Sequence, residues 1–185
     1  MARRAAPRYH RLSESPLWAE GFYERAGIDA WRAGVVPHHV TNNVALATAY
    51  ARVVVGFLRD TRGPEPLQIV ELGAGSGRFA FLFLRALDAL RPGAAVRYVM
   101  TDVAPSTIAF WRRHPALAPF VRAGRLVFAR FDANRDRVIS RVTPGPRLVV
   151  IASYVFSALA QDAFEVTRGR TFELHVAARR GGSLS

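Results

Sequence analysis

The 185-residue sequence contains no cysteine and no lysine. Without cysteine the chain can form neither disulfide bonds nor thiolate metal sites. It also has no apolar run near the roughly 18 uncharged residues that a membrane span requires. We therefore expect a globular cytoplasmic protein that does not enter the membrane.

All 26 basic residues are arginine, and against 14 acidic residues they give a formal net charge of +12. A charge of this size predicts association with polyanions. The arginines are scattered, however, and no basic stripe is interleaved with aromatic residues, so we expect no specific nucleic-acid partner. His38 and His39 are adjacent and have no third ligand nearby, so we expect no metal site.

The stretch from Leu67 to Leu84 carries the clearest local signal. Residues 67–72 form a short apolar run that predicts a buried strand, and glycines follow at positions 73, 75 and 77. An apolar helix is predicted to continue from this turn to about Leu90. A strand, a glycine turn and a helix N-terminus together form a cradle for a nucleotide-type ligand, because glycine lets a ligand approach the backbone.

Further strands are predicted at 96–101, 126–131 and 147–152, with a crossover helix at 105–114. Alternating strands and helices predict an α/β fold, a Rossmann-like parallel sheet with flanking helices. A C-terminal β-hairpin is predicted at 164–176. We divide the chain into an N-terminal helical extension or lid (1–62), a cofactor-binding core (63–160), and the hairpin with a disordered tail (161–185).

The N-terminal extension is predicted to contain two helices after a frayed basic start over the first thirteen residues. The first helix is capped by Ser15-Pro16 and stops at Gly27; the second runs from Asn43 to Arg59. The connector that begins at Asp29 is turn-rich, and its part from Trp31 to Asn43 could cover the ligand as a lid. Trp31 and Trp111 are expected to be core residues.

Two carboxylates are predicted to lie beside the glycine turn, since ligands sit at the carboxyl ends of parallel strands. Asp102 ends a strand 25 residues after Gly77, where a ribose-binding acid is expected; the alternative is a helix-capping role. Asp132, after Phe131, fits an adenine site, and the alternative is a loop aspartate that caps a short helix near Asn134. Glu71 is expected near the other end of the ligand.

The run E-L-G-A-G-S-G resembles motif I of the class I S-adenosylmethionine (SAM)-dependent methyltransferases. The alternative, an NAD(P)-dependent Rossmann enzyme, is disfavoured because Arg78 stands where that fingerprint has its third glycine. The resemblance implies SAM as the cofactor and Glu71 near its methionine end. The residues it implies for SAM binding are Glu71, Gly73, Ala74, Gly75, Gly77, Asp102, Val103, Phe131, Asp132 and Ser153.

Residues 151–164 and the hairpin resemble the MidA-like branch, which includes protein-arginine methyltransferases of complex I assembly and many bacterial relatives. Tyr154, Phe156 and Leu159 match its N-[EY]-x-F-D-[AS]-L-P pattern, whereas its Asn, Asp and Pro are replaced by Ser153, Ser157 and Ala160. The resemblance implies methyl transfer to a protein side chain or a small molecule, and it identifies no catalytic residue. Asp162 and Glu165 are guesses for an arginine-binding carboxylate.

The resemblance extends over residues 67–156, and the class I fold has seven strands whereas this sequence predicts four and a hairpin. We therefore expect either a C-terminally truncated fold or a fold that a partner completes. An uncompleted sheet would have an open edge beside the fourth strand, which promotes self-association. The alternative function is a non-catalytic remnant of the SAM-binding fold that acts as a binding or assembly module.

Overall fold

The computed structural model describes residues 9–15, 21–32, 34, 36, 40–61, 63–143, 145 and 147–177. It divides the chain into two units, Met1–Gly21 with Ala158–Ser185 and Phe22–Ser157. The larger unit contains helices and strands in the order α1 (Phe22–Ala26), α2 (Asp29–Arg32), α3 (Val44–Asp60), β2 (Leu67–Glu71), α4 (Arg78–Leu90), β3 (Val96–Asp102), α5 (Pro105–Arg113), α6 (Ala118–Arg122), β4 (Leu126–Arg130) and β5 (Leu148–Ile151). The smaller unit contains β1 (His10–Arg11), β6 (Ala163–Thr167) and β7 (Arg170–Val176).

The larger unit is built on a four-stranded sheet in the order β4-β3-β2-β5, and every pairing is parallel. The apolar residues of β2 and β3 are buried on both faces, as expected for a parallel sheet covered on two sides. The α/β prediction with a Rossmann-like parallel sheet is therefore confirmed.

Two apolar clusters pack around the strands of this sheet. The larger contains the inward residues of α3 and α4 together with Leu67, Ile69, Tyr98 and Met100 of the central strands. The smaller, on Val70, Val99 and Ala129, is covered by the partly buried side chains of Leu72, Val127, Ile139 and Val142. Because side chains alternate along a strand, Glu71 shares the face of Leu67 and Ile69 and therefore enters the larger cluster.

Helices α3 and α4 begin in different ways. Asn43 caps α3, and its side chain accepts a hydrogen bond of 2.8 Å from the Leu46 backbone. Helix α4 follows Gly77, whose φ of +73° is left-handed and which offers no capping side chain. The first turn of α4 thus keeps N–H groups available for a ligand.

The smaller unit is a three-stranded antiparallel sheet in the order β1-β7-β6. The predicted hairpin is present. The prediction of a frayed start is wrong for His10 and Arg11, which pair with Val176 and His175 of β7. Asp162, one of the two carboxylates guessed to bind arginine, accepts a hydrogen bond of 2.9 Å from the Ser13 backbone. Hydrogen bonds from the Ser13 side chain and backbone lower the pKa of its carboxyl.

Two further differences from the sequence predictions lie in short segments. Residues 29–32, expected in a turn-rich connector, form helix α2, and α6 was not predicted. Gly27 ends α1 with a left-handed φ of +50°, as expected for a helix stop. The predicted helix start at Pro16, the His38-His39 pair and the C-terminal tail lie outside the described residues. Within the described part, no helix is long and apolar enough to cross a membrane.

Candidate cofactor site

The glycine turn lies at the carboxyl end of β2, beside the end of β3. Gly73, Gly75 and Gly77 all have left-handed φ values, +61°, +52° and +73°. The Ala74 N–H donates a 2.8 Å hydrogen bond to the Thr101 carbonyl, which attaches the turn to β3. The three glycines are therefore required by the backbone conformation itself.

Each glycine of the turn also faces a close neighbour. A Cβ atom added at Gly73 would lie 2.8 Å from Val155 Cγ2, and one at Gly77 would lie 2.9 Å from Met100 Cε. At Gly75 the added Cβ would lie 2.7 Å from Cζ2 of Trp31. No side chain larger than hydrogen fits at these positions without movement of the neighbour.

Asp102 links the turn to the start of α5. Its Oδ2 accepts a hydrogen bond of 3.1 Å from the Gly75 N–H, and its Oδ1 accepts one of 3.0 Å from the Ala104 N–H. Burial raises the pKa of this carboxyl, and the backbone donors at Ala104 and Gly75 oppose the rise. The predicted capping alternative is thus present in part, but each oxygen keeps a lone pair for a further donor.

Glu71 is buried and its carboxyl is bound by Tyr98, whose hydroxyl donates a 3.0 Å hydrogen bond to Oε2. Burial raises the pKa of Glu71 to about 8, and the Tyr98 hydrogen bond only partly opposes this rise. Glu71 is therefore largely protonated at neutral pH. A cationic ligand group beside it would favour ionisation.

The ends of β3 and β4 are joined by the Phe131 N–H, which donates a 3.0 Å hydrogen bond to the Asp102 carbonyl. Asp132 follows and is buried, but its carboxylate is engaged within its own loop. Its Oδ1 accepts a 3.0 Å hydrogen bond from the Asn134 N–H, and its Oδ2 lies 3.6 Å from Arg135 Nε. The capping alternative for Asp132 is therefore present in the structure, but residues 133–135 form a turn and not the expected short helix.

Ser153 lies just beyond β5 and is half-buried. The residue of this segment that contacts the glycine turn is Val155, through its approach to Gly73. Tyr154 has a left-handed φ of +59° and is exposed, and its carbonyl accepts a 2.9 Å hydrogen bond from the Ser157 hydroxyl. The roles of Ser153 and Val103 stay predictions.

Sequence reasoning did not predict the contacts that Trp31, Trp111 and Val155 make with the turn, or the bond between Tyr98 and Glu71 beside it. Trp111, correctly expected in the core, donates a 2.9 Å hydrogen bond from Nε1 to the Gly75 carbonyl. Trp31, also expected in the core, is half-buried and packs on Gly75 instead. Tyr98 could have been found, since strand alternation places it with Asp102 on one face of β3.

The parallel sheet, the glycine turn at its carboxyl edge and the acid on the neighbouring strand define a Rossmann-like nucleotide-binding protein. Residues 49–184 match the family described as "Putative S-adenosyl-L-methionine-dependent methyltransferase". This match covers more than half of the chain, and the chain belongs to that family. The predictions of the SAM-dependent methyltransferase class and of SAM as cofactor are confirmed, and the MidA-like branch is consistent with the match.

Three solved structures are similar to the chain. An uncharacterized protein from Burkholderia thailandensis has a TM-score of 0.52 and 20% identity, over 93% of this chain and 45% of its own. A second structure from that organism, of a "likely methyl transferase" bound to S-adenosyl-homocysteine, has a TM-score of 0.47 and 23% identity, over 76% of this chain and 36% of its own. Magnesium protoporphyrin IX methyltransferase from Synechocystis PCC 6803 has a TM-score of 0.42 and 15% identity, over 75% and 57%.

The first of these similarities shows the fold. The chain spans less than half the length of the chains in the two Burkholderia structures. A comparison with curated proteins found no similar sequence.

Proposed function

We propose that the chain binds SAM at the turn from Gly73 to Gly77 and transfers its methyl group to a protein side chain or a small molecule. The observation that carries this proposal is the buried Asp102 carboxylate, which holds the Gly75 N–H and still has acceptor capacity. A carboxylate at this point of a parallel sheet suits a ribose diol, because each of its oxygens can accept a hydroxyl hydrogen.

The other predicted residues take complementary roles in the proposed site. Backbone groups of Gly73, Ala74, Gly75 and Gly77 would let the cofactor lie close to the chain, and Glu71 would face its cationic methionine end. Val103 and Phe131 would cover the adenine ring, and Asp132 would accept its amino group once released from its own turn. Ser153 would line the site from the end of β5.

Bound SAM supplies an electrophilic methyl group on a sulfonium. The chain's own residues then have to bind, orient and exclude water, because methyl transfer depends mainly on in-line alignment of the acceptor. Because burial raises the pKa of the Glu71 carboxyl to about 8, a cation that binds beside it would lower this pKa and release the proton.

The proposal is tested by calorimetric titration of the 185-residue protein with SAM and S-adenosylhomocysteine (SAH), and with NADH as a control ligand. We expect SAM and SAH to bind and NADH not to bind. Asp102→Asn should weaken SAH binding by roughly ten- to a hundredfold, the loss expected for hydrogen bonds to a charged group. Asp60→Asn, which alters an exposed carboxylate beside Arg59, is the matched control.

Two results would contradict the proposal. Equal SAH affinity of Asp102→Asn and the wild type would show that Asp102 does not bind the cofactor. SAH binding without methyl transfer to any acceptor would favour the alternative of a non-catalytic binding module.

We further propose that the protein is cytoplasmic, on the basis of its cysteine-free composition, and that it self-associates through β5. In the described part of the sheet, β5 pairs only with β2. Leu148 and Val150 of this edge strand are 39% and 53% exposed. An apolar edge strand with unpaired backbone groups is a surface that favours pairing with another chain.

A further inference from the structure

Residues 22–32, here called the strap, lie against the carboxyl ends of β3 and β4. Glu24 Oε1 lies 3.3 Å from Nη2 of Arg130, the last residue of β4. Arg130 in turn donates a 3.1 Å hydrogen bond from Nε to the Val103 carbonyl. A Cβ atom at Gly27 would lie only 2.2 Å from Ser106 Oγ, so the strap also touches the start of α5.

Trp31 is the second-last residue of the strap, and its indole lies against Gly75. The Cζ2, Cε2 and Nε1 atoms of Trp31 lie 2.7, 2.8 and 3.2 Å from the position that a Gly75 Cβ would take. Behind Trp31, the ring of Tyr23 stacks at 5.8 Å between ring centroids, with 25° between their planes. The indole is therefore supported from within the strap.

Gly75 is already engaged on its other sides. Its N–H donates to Asp102, and its carbonyl accepts from Trp111. A ligand can thus approach Gly75 closely at the position that a Cβ atom would take. Glycine allows such close approach in nucleotide-binding turns. In this structure the Trp31 indole occupies that space.

We propose that the Trp31 indole covers the glycine turn and that it must leave Gly75 for SAM to bind. This inference rests on the proposed function, because it takes the glycine turn as the SAM site. Two groups cannot occupy the space beside Gly75 at once, so the covered state competes with the cofactor. The apparent affinity is reduced by the fraction of molecules in which the cover is closed.

The first experiment compares SAH affinities of the wild type, Trp31→Ala and Trp31→Phe by calorimetry. Removal of the cover in Trp31→Ala should tighten SAH binding by about three- to tenfold, the range expected for one aromatic contact. The SAH affinity of Trp31→Phe should lie between those of the wild type and Trp31→Ala. Leu90→Ala is the matched control, because Leu90 is a half-exposed apolar residue at the opposite end of α4 from the glycine turn. It should bind SAH like the wild type.

The second experiment follows tryptophan emission during SAH titration. The indole of Trp31 enters water when it leaves Gly75, so the wild-type emission should shift to longer wavelength. Trp31→Phe should lack this shift, whereas Trp18 and the buried Trp111 are present in both proteins. This readout needs only the conservative variant, and it still tests the inference if Trp31→Ala folds poorly.

Failure of the inference and failure of the proposed function give different results. If the wild type binds SAH but Trp31→Ala binds it equally or more weakly, or if the wild-type emission is unchanged, Trp31 is not a displaced cover. If the folded wild type, Trp31→Ala and Trp31→Phe all fail to bind SAH, the SAM-binding proposal itself is wrong. If Trp31→Ala binds SAH and the wild type does not, both the SAM-binding proposal and the inference on Trp31 are supported.

Discussion

Gly75 combines three requirements in a single residue. Its backbone is left-handed, its N–H and carbonyl are both used by neighbouring side chains, and its free side faces Trp31. Such a position is sensitive to the smallest substitution, since one added methyl group meets both backbone strain and an indole ring.

Gly93 offers a matched comparison for Gly75. Its φ is +71°, but an added Cβ would meet nothing within 4 Å. Gly93→Ala should therefore cost only about 1–2 kcal/mol, the penalty of a left-handed conformation, and should retain SAH binding. Gly75→Ala should lose more stability, because the strap and the turn can no longer pack. It should also weaken SAH binding by at least about tenfold, because its methyl group takes the space beside the turn that the cofactor needs. Chemical unfolding and calorimetry measure the two effects, and equal losses in both variants would contradict the prediction.

Glu71 predicts a pH dependence of stability. Its pKa rises from the ordinary value of 4.5 to about 8 in the folded protein. Between these values the folded state binds more protons than the unfolded chain, so the Glu71 contribution to the free energy of unfolding decreases as pH rises from about 5 to 8.

Glu71→Gln removes this contribution, because glutamine stays neutral. We expect the stability of Glu71→Gln relative to the wild type to increase by more than about 1 kcal/mol between pH 5 and pH 8. Urea unfolding of both proteins at several pH values measures this difference. Parallel pH profiles would show that the Glu71 carboxyl does not titrate as proposed.

Helices and strands of this chain are determined by local signals to different degrees. The bounds of β2, β3 and α4 were predictable because a short apolar run, a glycine turn and a helical apolar pattern specify them locally. Strand β1 was not, because two polar residues carry no strand pattern and form one only by pairing with β7. The position of Trp31 was equally hidden, since the contact joins residues that are far apart in the sequence.

The candidate site likewise contains residues that local sequence patterns predict and residues that they do not. Asp102 was predictable from its place after a strand, and the structure puts it on Gly75. The bond between Tyr98 and Glu71 crosses two strands, and local patterns do not contain that register. The use of Asp132 in its own turn depended on Asn134 being nearby, which the sequence offered only as an alternative.

The N-terminal end of α3 gives a prediction at the scale of one helix. Asn43→Ala removes the side-chain acceptor of the Leu46 N–H and should lower the free energy of unfolding by about 1 kcal/mol. Asn43→Ser retains a capping oxygen and should lose less. Urea unfolding of the wild type and the two variants measures these free energies. Identical stabilities of the wild type and Asn43→Ala would show that the cap contributes little.

The whole molecule combines a large positive charge with an apolar edge strand. The net charge of +12 opposes association between copies, whereas the exposed Val150 on β5 favours it. The balance between them should therefore depend on ionic strength, because salt screens the repulsion between chains and leaves the apolar contact in place.

We expect the wild-type protein to associate with increasing concentration at moderate salt and Val150→Glu to remain monomeric. The control is Val138→Glu, since Val138 is 79% exposed and lies outside the sheet. Sedimentation velocity at two salt concentrations measures the oligomeric state. Association of Val150→Glu equal to that of the control would exclude β5 as the interface.

The order of strands in the sheet has a consequence for how the chain folds. Strand β2 pairs with β3 over a short separation, but it pairs with β5 only about 80 residues later along the chain. During synthesis the edge of β2 that receives β5 thus stays open until the fourth strand has left the ribosome. Refolding should show an early phase that protects β2 and β3 from hydrogen exchange, followed by a slower phase that protects β5.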